Sequence, residues 1–180
     1  MHFIPIGPTS DRDASLTDEP DPTDYASFYT AYGECFAAWS GVEMNLFSVY
    51  LYLLRSPEYQ AAAAAFYSTT GFRAKLDMVN AIVENASNVM PETKALWDSR
   101  STVASKKSRR RNELAHNAIY YGRLSDRGSK TLFVGDPRTP GARARLHTHD
   151  LVQIRDAFID LGQDLFTFWQ KLQSDGQPDT

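Results

Sequence analysis

The chain has 180 residues, 42% of them hydrophobic and 23% charged, a composition that excludes neither a folded core nor solubility but does exclude a low-complexity or fibrous chain. That length predicts one domain around one sizeable core. The formal net charge of −3 excludes a globally basic nucleic-acid binder, and the one cysteine, Cys35, excludes an internal disulfide.

Residues 1–21 read as a flexible acidic arm, with three prolines and Asp11, Asp13, Asp18, Glu19 and Asp21 against Arg12. The opening "MHFIPIGPTS" lacks a charged segment followed by an apolar run, so no signal peptide is expected. Asp21-Pro22 marks a helix start, a cap followed by a proline in the first turn. From Tyr32 through Phe36, Trp39, Glu43, Leu46, Tyr50 and Leu53 the spacings alternate between 4 and 3, which predicts one helix to about Arg55. Its most apolar window, Val42 to Leu54, is too short to span a bilayer and contains Glu43 and Asn45. Cys35 reads as a small buried hydrophobe.

Ser56-Pro57 repeats the cap-plus-proline signal and opens a second helical region over 57–87, broken or kinked at "STTG" (68–71), with a stripe Phe72, Leu76, Val79, Val83, Ala86. Pro91 opens a third helix to about Ala118, whose stripe is Trp97, Ala104, Ser108, Arg111, Ala115 and Ala118. The period then changes: "IYYGRL" and "KTLFVG", joined by "SDRGS", predict a short β-hairpin. An irregular basic loop, "DPRTPGARAR", leads to Thr148, read as the cap of a last helix with the stripe Leu151, Ile154, Phe158, Leu161, Leu165, Phe168, Leu172. The fold expected is therefore all-α, an up-down helical bundle over 22–173 with a small β-hairpin inserted before the last helix, and a disordered tail over 174–180.

Charge is segregated along this chain. Residues 100–111 hold Arg100, Lys106, Lys107, Arg109, Arg110 and Arg111 with no acid, a local positive field able to bind phosphates inside a mildly acidic protein. A plain solvated helix face is the competing explanation. Just beyond, on an ideal helix, Asn112 and His116 share a face, about 40° apart, while Arg111 and His116 differ by about 140°. Histidine supplies a proton donor and acceptor, arginine a permanent fork for phosphate, and asparagine can orient either. Together they suit phosphodiester cleavage that uses no metal. A histidine that merely complements the helix dipole is the alternative. Glu43 interrupts the first apolar stripe, and a buried carboxylate needs a cation or a strong donor. Arg111 is the first candidate, unless Glu43 lies at the wet edge of the stripe.

The run Arg111-Asn112-Glu113-Leu114-Ala115-His116 resembles the R-x(4–6)-H motif of HEPN-domain proteins, including the asparagine after the arginine. "WSGVEMNLF" and "GFRAKLDMV" also look like the helices that precede that motif, and the resemblance covers most of 25–172. It implies a homodimer with two motifs facing each other, and a metal-independent endoribonuclease, often a toxin or antiphage-defence effector with a partner protein such as an antitoxin. It implies Arg111, Asn112 and His116 as catalytic residues, with RNA as the substrate; Glu43, from its place in the apolar stripe, is expected to support them. Lys106, Lys107, Arg109 and Arg110 would hold flanking phosphates. A non-catalytic adaptor, and a structural helical dimer organised by an Arg111–Glu43 pair, are the alternatives. The small residues Ala104, Ser108, Ala115 and Ala118 suggest that the motif-bearing helix lies near the dimer axis. The expected location is the cytoplasm.

Other chemistry has weaker support. His147-Thr148-His149-Asp150 resembles a metal-ligand cluster, but helix-start chemistry explains Thr148 and Asp150 without metal. No Gly-rich phosphate loop and no serine-triad spacing occurs, so neither a cofactor nor a metal is expected. Arg138, Arg143 and Arg145 either extend the basic surface or keep their loop soluble.

Overall fold

The computed structural model describes residues 20–123, 130–136, 138 and 145–175. Among these the chain is mostly helical: α1 (Pro22–Leu54), α2 (Tyr59–Ser68), α3 (Phe72–Asn85), α4 (Pro91–His116) and α5 (Thr148–Asp175), with the antiparallel hairpin of β1 (Ala118–Arg123) and β2 (Lys130–Gly135) placed before the last helix. The expected helical bundle with an inserted hairpin is the fold. Residues 1–19 of the acidic arm, the hairpin turn, Arg143 and residues 176–180 lie outside the described residues.

Local chemistry explains most of the helix ends. Asp21 Oδ1 accepts the backbone N–H of Thr23 at 2.7 Å, so Asp21 caps α1, and Pro22 sits where no N–H partner is needed. The helix stops at Arg55, whose φ of 51° lies in the left-handed region. The start of α2 differs from its sequence signal. Ser56 Oγ accepts the N–H of Glu58 at 3.1 Å, a turn that delays the helix to Tyr59 and leaves Pro57 outside it. The break at "STTG" separates α2 from α3 at Gly71, whose φ of 85° favours a residue without a Cβ. At α5 the cap is not Thr148, which is already helical. Asp150 Oδ2 reaches back to accept the N–H of His147 at 2.8 Å. The far end of α5 is also longer than expected: Asp175 is helical and accepts the Thr93 hydroxyl at 2.9 Å and Lys171 Nζ at 3.2 Å.

The chain forms two compact units. The first comprises residues up to Phe36 and Arg111–Arg155. Its core is Phe28, Ala31, Cys35, Leu114, Leu132, Val134 and Leu151, all buried. The hairpin pairs Tyr120 with Phe133 and Arg123 with Lys130, and Val134 exchanges two 2.9 Å hydrogen bonds with Leu146. The buried Cys35 thiol donates to the Leu151 carbonyl at 3.2 Å, which agrees with its reading as a core residue.

The second unit comprises Ala37–Arg110 and the residues from Asp156 on. Trp39 meets Phe72 and Phe158 edge-on, at 4.6 and 4.9 Å between ring centroids, joining α1, α3 and α5. Trp97 on α4 packs on Phe168 of α5 and donates its indole N–H to Asn80 of α3 at 2.8 Å. Phe66 ties α2 to Phe47 and Tyr50 of α1. The stripes of α3 and α5 read from sequence are the buried ones, except that Ala86 ends α3 as its cap and Ile154 is only half-buried.

Candidate functional site

The motif sits on the last turns of α4, in the first unit. Arg111 is half-buried there and Asn112 is exposed. Arg111 Nη1 donates to Asn112 Oδ1 at 3.4 Å, a long contact on the exposed side. Arg111 Nε is closed off from solvent and has no hydrogen-bond partner among the described residues. A buried unpaired donor on a charged group is costly and calls for an explanation, a catalytic role being one. His116, the last residue of α4, is exposed, and no described contact joins it to Arg111 or Asn112. The structure thus brings Arg111 and Asn112 together and leaves His116 about 140° around the helix from the arginine, as ideal geometry requires.

One positioning residue was not singled out in sequence. Tyr32 of α1 donates its hydroxyl to the Leu114 carbonyl at 2.9 Å. That carbonyl is among the last four of α4, which have no partner within the helix. Burial first, and then the neighbouring Cys35, push the Tyr32 pKa above its ordinary value, so it remains a protonated donor. Leu114 itself is fully buried, and Tyr32 and Leu114 together fix the turn that carries Asn112 and His116. In sequence Tyr32 is only the first member of the α1 stripe; the available signal was the need of a tyrosine hydroxyl on a buried stripe for an acceptor.

Glu43 does not pair with Arg111. Its Oε2 accepts Lys75 Nζ of α3 at 2.6 Å, and its Oε1 accepts the Trp39 indole N–H at 3.0 Å. The reason is register: Glu43 stands on the edge of α1 that faces α3, where Lys75 is buried with its ammonium 5.3 Å from the ring centroids of both Phe66 and Tyr67. The need for a cation was legible, but not which helix would supply it. The Arg111–Glu43 pair that was to organise a structural dimer is therefore not formed.

In the second unit, Lys106, Arg109 and Arg110 are exposed on α4 and Lys107 is half-buried. Ala104 and Ser108 are not an open face: both are buried within the chain. Ala115 is exposed, and Ala118 belongs to β1 rather than to the helix. In the loop before α5, Arg138 is bound to Asp136 at 2.9 Å, and Arg145 lies over the Phe133 ring at 4.5 Å. Both are engaged locally.

The residues around His147 form a separate feature of the first unit. A cavity of about 490 Å³ is lined by Asp21, Asp24, Tyr121, Lys130, His147 and His149, among others, and by none of Arg111, Asn112 and His116. His147 Nδ1 lies 3.2 Å from the Leu132 carbonyl and 3.3 Å from Thr131 Oγ1, and Nε2 is buried with no hydrogen-bond partner among the described residues. His149 Nε2 lies 3.1 Å from Asp150 Oδ1. Among the described residues no three potential ligands converge on a metal position. Among them, too, no helix is long and apolar enough to cross a membrane.

Comparison of the chain with protein-family models, with curated proteins and with solved structures finds no match.

Proposed function

We propose that this chain is an endoribonuclease of the HEPN type, acting through Arg111, Asn112 and His116 without a metal. The observation that carries the reading is the Arg111 guanidinium, held half-buried with its Nε unpaired among the described residues, beside an exposed asparagine that stands one turn before an exposed histidine. A phosphate oxygen is the acceptor that such a fork donates to best.

The chemistry needs only these groups and the RNA. His116 takes the proton from a ribose 2′-hydroxyl. The 2′ oxygen forms a bond to phosphorus, and the bond from phosphorus to the 5′ oxygen breaks. The imidazolium returns its proton to that leaving oxygen, giving a 2′,3′-cyclic phosphate and a 5′-hydroxyl. Proton transfer of this kind contributes about 10²–10⁴-fold. Arg111 stabilises the charge on the transferring phosphoryl group, Asn112 orients the arginine, and Lys106, Lys107, Arg109 and Arg110 hold neighbouring phosphates. The role proposed in a cell is that of a cytoplasmic toxin or defence effector held in check by a partner protein.

One observation favours a second reading, a non-catalytic adaptor of the same family: His116 has no described contact with Arg111. Turnover separates the two. Purified protein should cut RNA in the presence of EDTA, and His116→Ala should abolish cutting while leaving RNA binding and the thermal melt unchanged. RNA binding without cutting in any condition would put the adaptor reading first.

A further inference from the structure

The cavity of about 490 Å³ in the first unit has no part in the nuclease chemistry. Its walls come from three places in the chain: Asp21 and Asp24 at the start of α1, Tyr121 and Lys130 on the hairpin, and His147 and His149 at the start of α5. Tyr121 pairs across the hairpin with Leu132, two residues beyond Lys130, so Tyr121 and Lys130 share one face of it. One carboxylate holds the α5 side: Asp150 Oδ2 takes the His147 backbone N–H at 2.8 Å, and its Oδ1 lies 3.1 Å from His149 Nε2. The two imidazoles lie parallel, their planes 3° apart and their centroids 6.4 Å apart. On the α1 side, Asp21 spends one oxygen on the Thr23 N–H. No hydrogen bond or ion pair among the described residues engages the exposed Asp24 carboxylate. The cavity therefore gathers flat ring faces, a carboxylate and an ammonium, within the volume range of small-ligand pockets.

We propose that this cavity binds a guanine ring. Phosphate is the wrong ligand: Asp21 and Asp150 already cap the starts of α1 and α5, and the carboxylates in the wall repel an anion. A metal ion finds no three converging ligands among the described residues. A flat ring suits the walls, because unpaired bases are held by stacking on tyrosine and histidine and by hydrogen bonds to their edges. The carboxylate then selects among the bases. Guanine alone presents two adjacent donors, N1–H and N2–H, with no acceptor between them. Adenine and cytosine set a ring-nitrogen acceptor beside their amine, and uracil flanks its N3–H with carbonyls, so each turns a lone pair toward Asp24. The guanine O6 and N7 are the acceptors that a lysine such as Lys130 recognises. The ring comes either from a free nucleotide or from single-stranded RNA. Strand β1 leads from the motif to the cavity: Tyr121 stands five residues beyond His116, no more than about 18 Å of chain. The inference rests on the cavity and not on the nuclease reading.

Calorimetric titration of the full chain with guanosine, adenosine, cytidine and uridine tests the ring. Guanosine should bind roughly tenfold more tightly than the other three. Asp24→Asn, at an exposed position, should remove that preference while keeping the helical circular dichroism. His149→Ala should weaken guanosine binding by about fivefold or more through lost stacking. His116→Ala and Arg111→Ala, which lie outside the cavity, should bind guanosine as the wild type does, so the result is independent of cleavage. A comparison of guanosine monophosphate with an oligoadenylate carrying one guanine identifies the source of the ring. Tighter binding of the oligonucleotide assigns the site to RNA, and tighter binding of the mononucleotide assigns it to a free guanine nucleotide. Absence of guanosine binding up to millimolar concentration, equal binding of all four nucleosides, or a guanosine preference that survives Asp24→Asn would each overturn the proposal.

Discussion

Lys75 and Glu43 make the clearest residue-scale test. Their side chains are 11% and 22% exposed, so neither charge is freely hydrated. Lys75→Met leaves Glu43 with the Trp39 indole as its remaining described donor, and should destabilise the protein by about 3 kcal/mol, the lower end for an uncompensated buried charge. Adding Glu43→Gln should recover much of the loss, because a neutral amide is cheaper to bury. Urea melts of the single and double variants measure both effects. Arg111→Ala and Glu43→Gln, in contrast, should add to within a few tenths of a kcal/mol, since the two residues do not share a partner. Asp175 makes a test that depends on pH. The Thr93 hydroxyl, and then Lys171, hold its carboxyl below the usual aspartate range. A carboxylate with a depressed folded pKa stabilises the protein above its unfolded pKa, near ~3.9, and loses that contribution as pH falls through the folded value. The melting difference between wild type and Asp175→Asn should therefore hold through neutral pH and shrink below about pH 4. A difference that persists undiminished into stronger acid would show that the carboxylate's charge is not what matters there.

At the scale of elements, the helices were legible because their buried stripes recur every three or four residues, and because Asp21-Pro22 and Pro91 punctuate their starts. The hairpin was legible from the change of period after the motif. What escaped was chemistry between side chain and backbone. A serine hydroxyl bonding two residues ahead moved the start of α2 past Pro57, and the Asp150 carboxylate took the capping role assigned to Thr148. The break between α2 and α3 depends on Gly71. Its φ of 85° with ψ of 138° is open to glycine, and a Cβ there would meet no neighbour within 4 Å. Gly71→Ala should therefore be destabilising through the backbone alone, by about 1–3 kcal/mol in a thermal or urea melt. On α4, Lys106 and Arg109 are exposed cations. If they hold phosphates as proposed, changing both to Gln should weaken RNA binding. It should also flatten the slope of log affinity against log salt by about 0.7 for each lost contact. An unchanged slope would return these residues to the solvated-face explanation.

At the scale of the whole molecule, the sequence carried the fold class, and the residue types at the motif suggested the reaction proposed. It could not carry the pairing of Glu43, because which helix faces which edge of α1 is a tertiary outcome. Nor could it show that Ala104 and Ser108 are spent inside the chain, which removes the small-residue face that had placed α4 at a dimer axis. The motif's place at the end of a helix was legible, but not its contacts: Arg111 reaches Asn112, and no described contact joins it to His116. The nuclease reading therefore requires the substrate to bridge them, the phosphate on the arginine and the ribose beside the histidine. The most direct test is to incubate the purified chain with total cellular RNA in EDTA and to map the chemical ends of the fragments. The account predicts new 5′-hydroxyl and 2′,3′-cyclic phosphate ends, no cutting of DNA, and no new ends with His116→Ala or Arg111→Ala. Intact RNA, fragments with 5′-phosphate ends, or equal cutting by His116→Ala would contradict it.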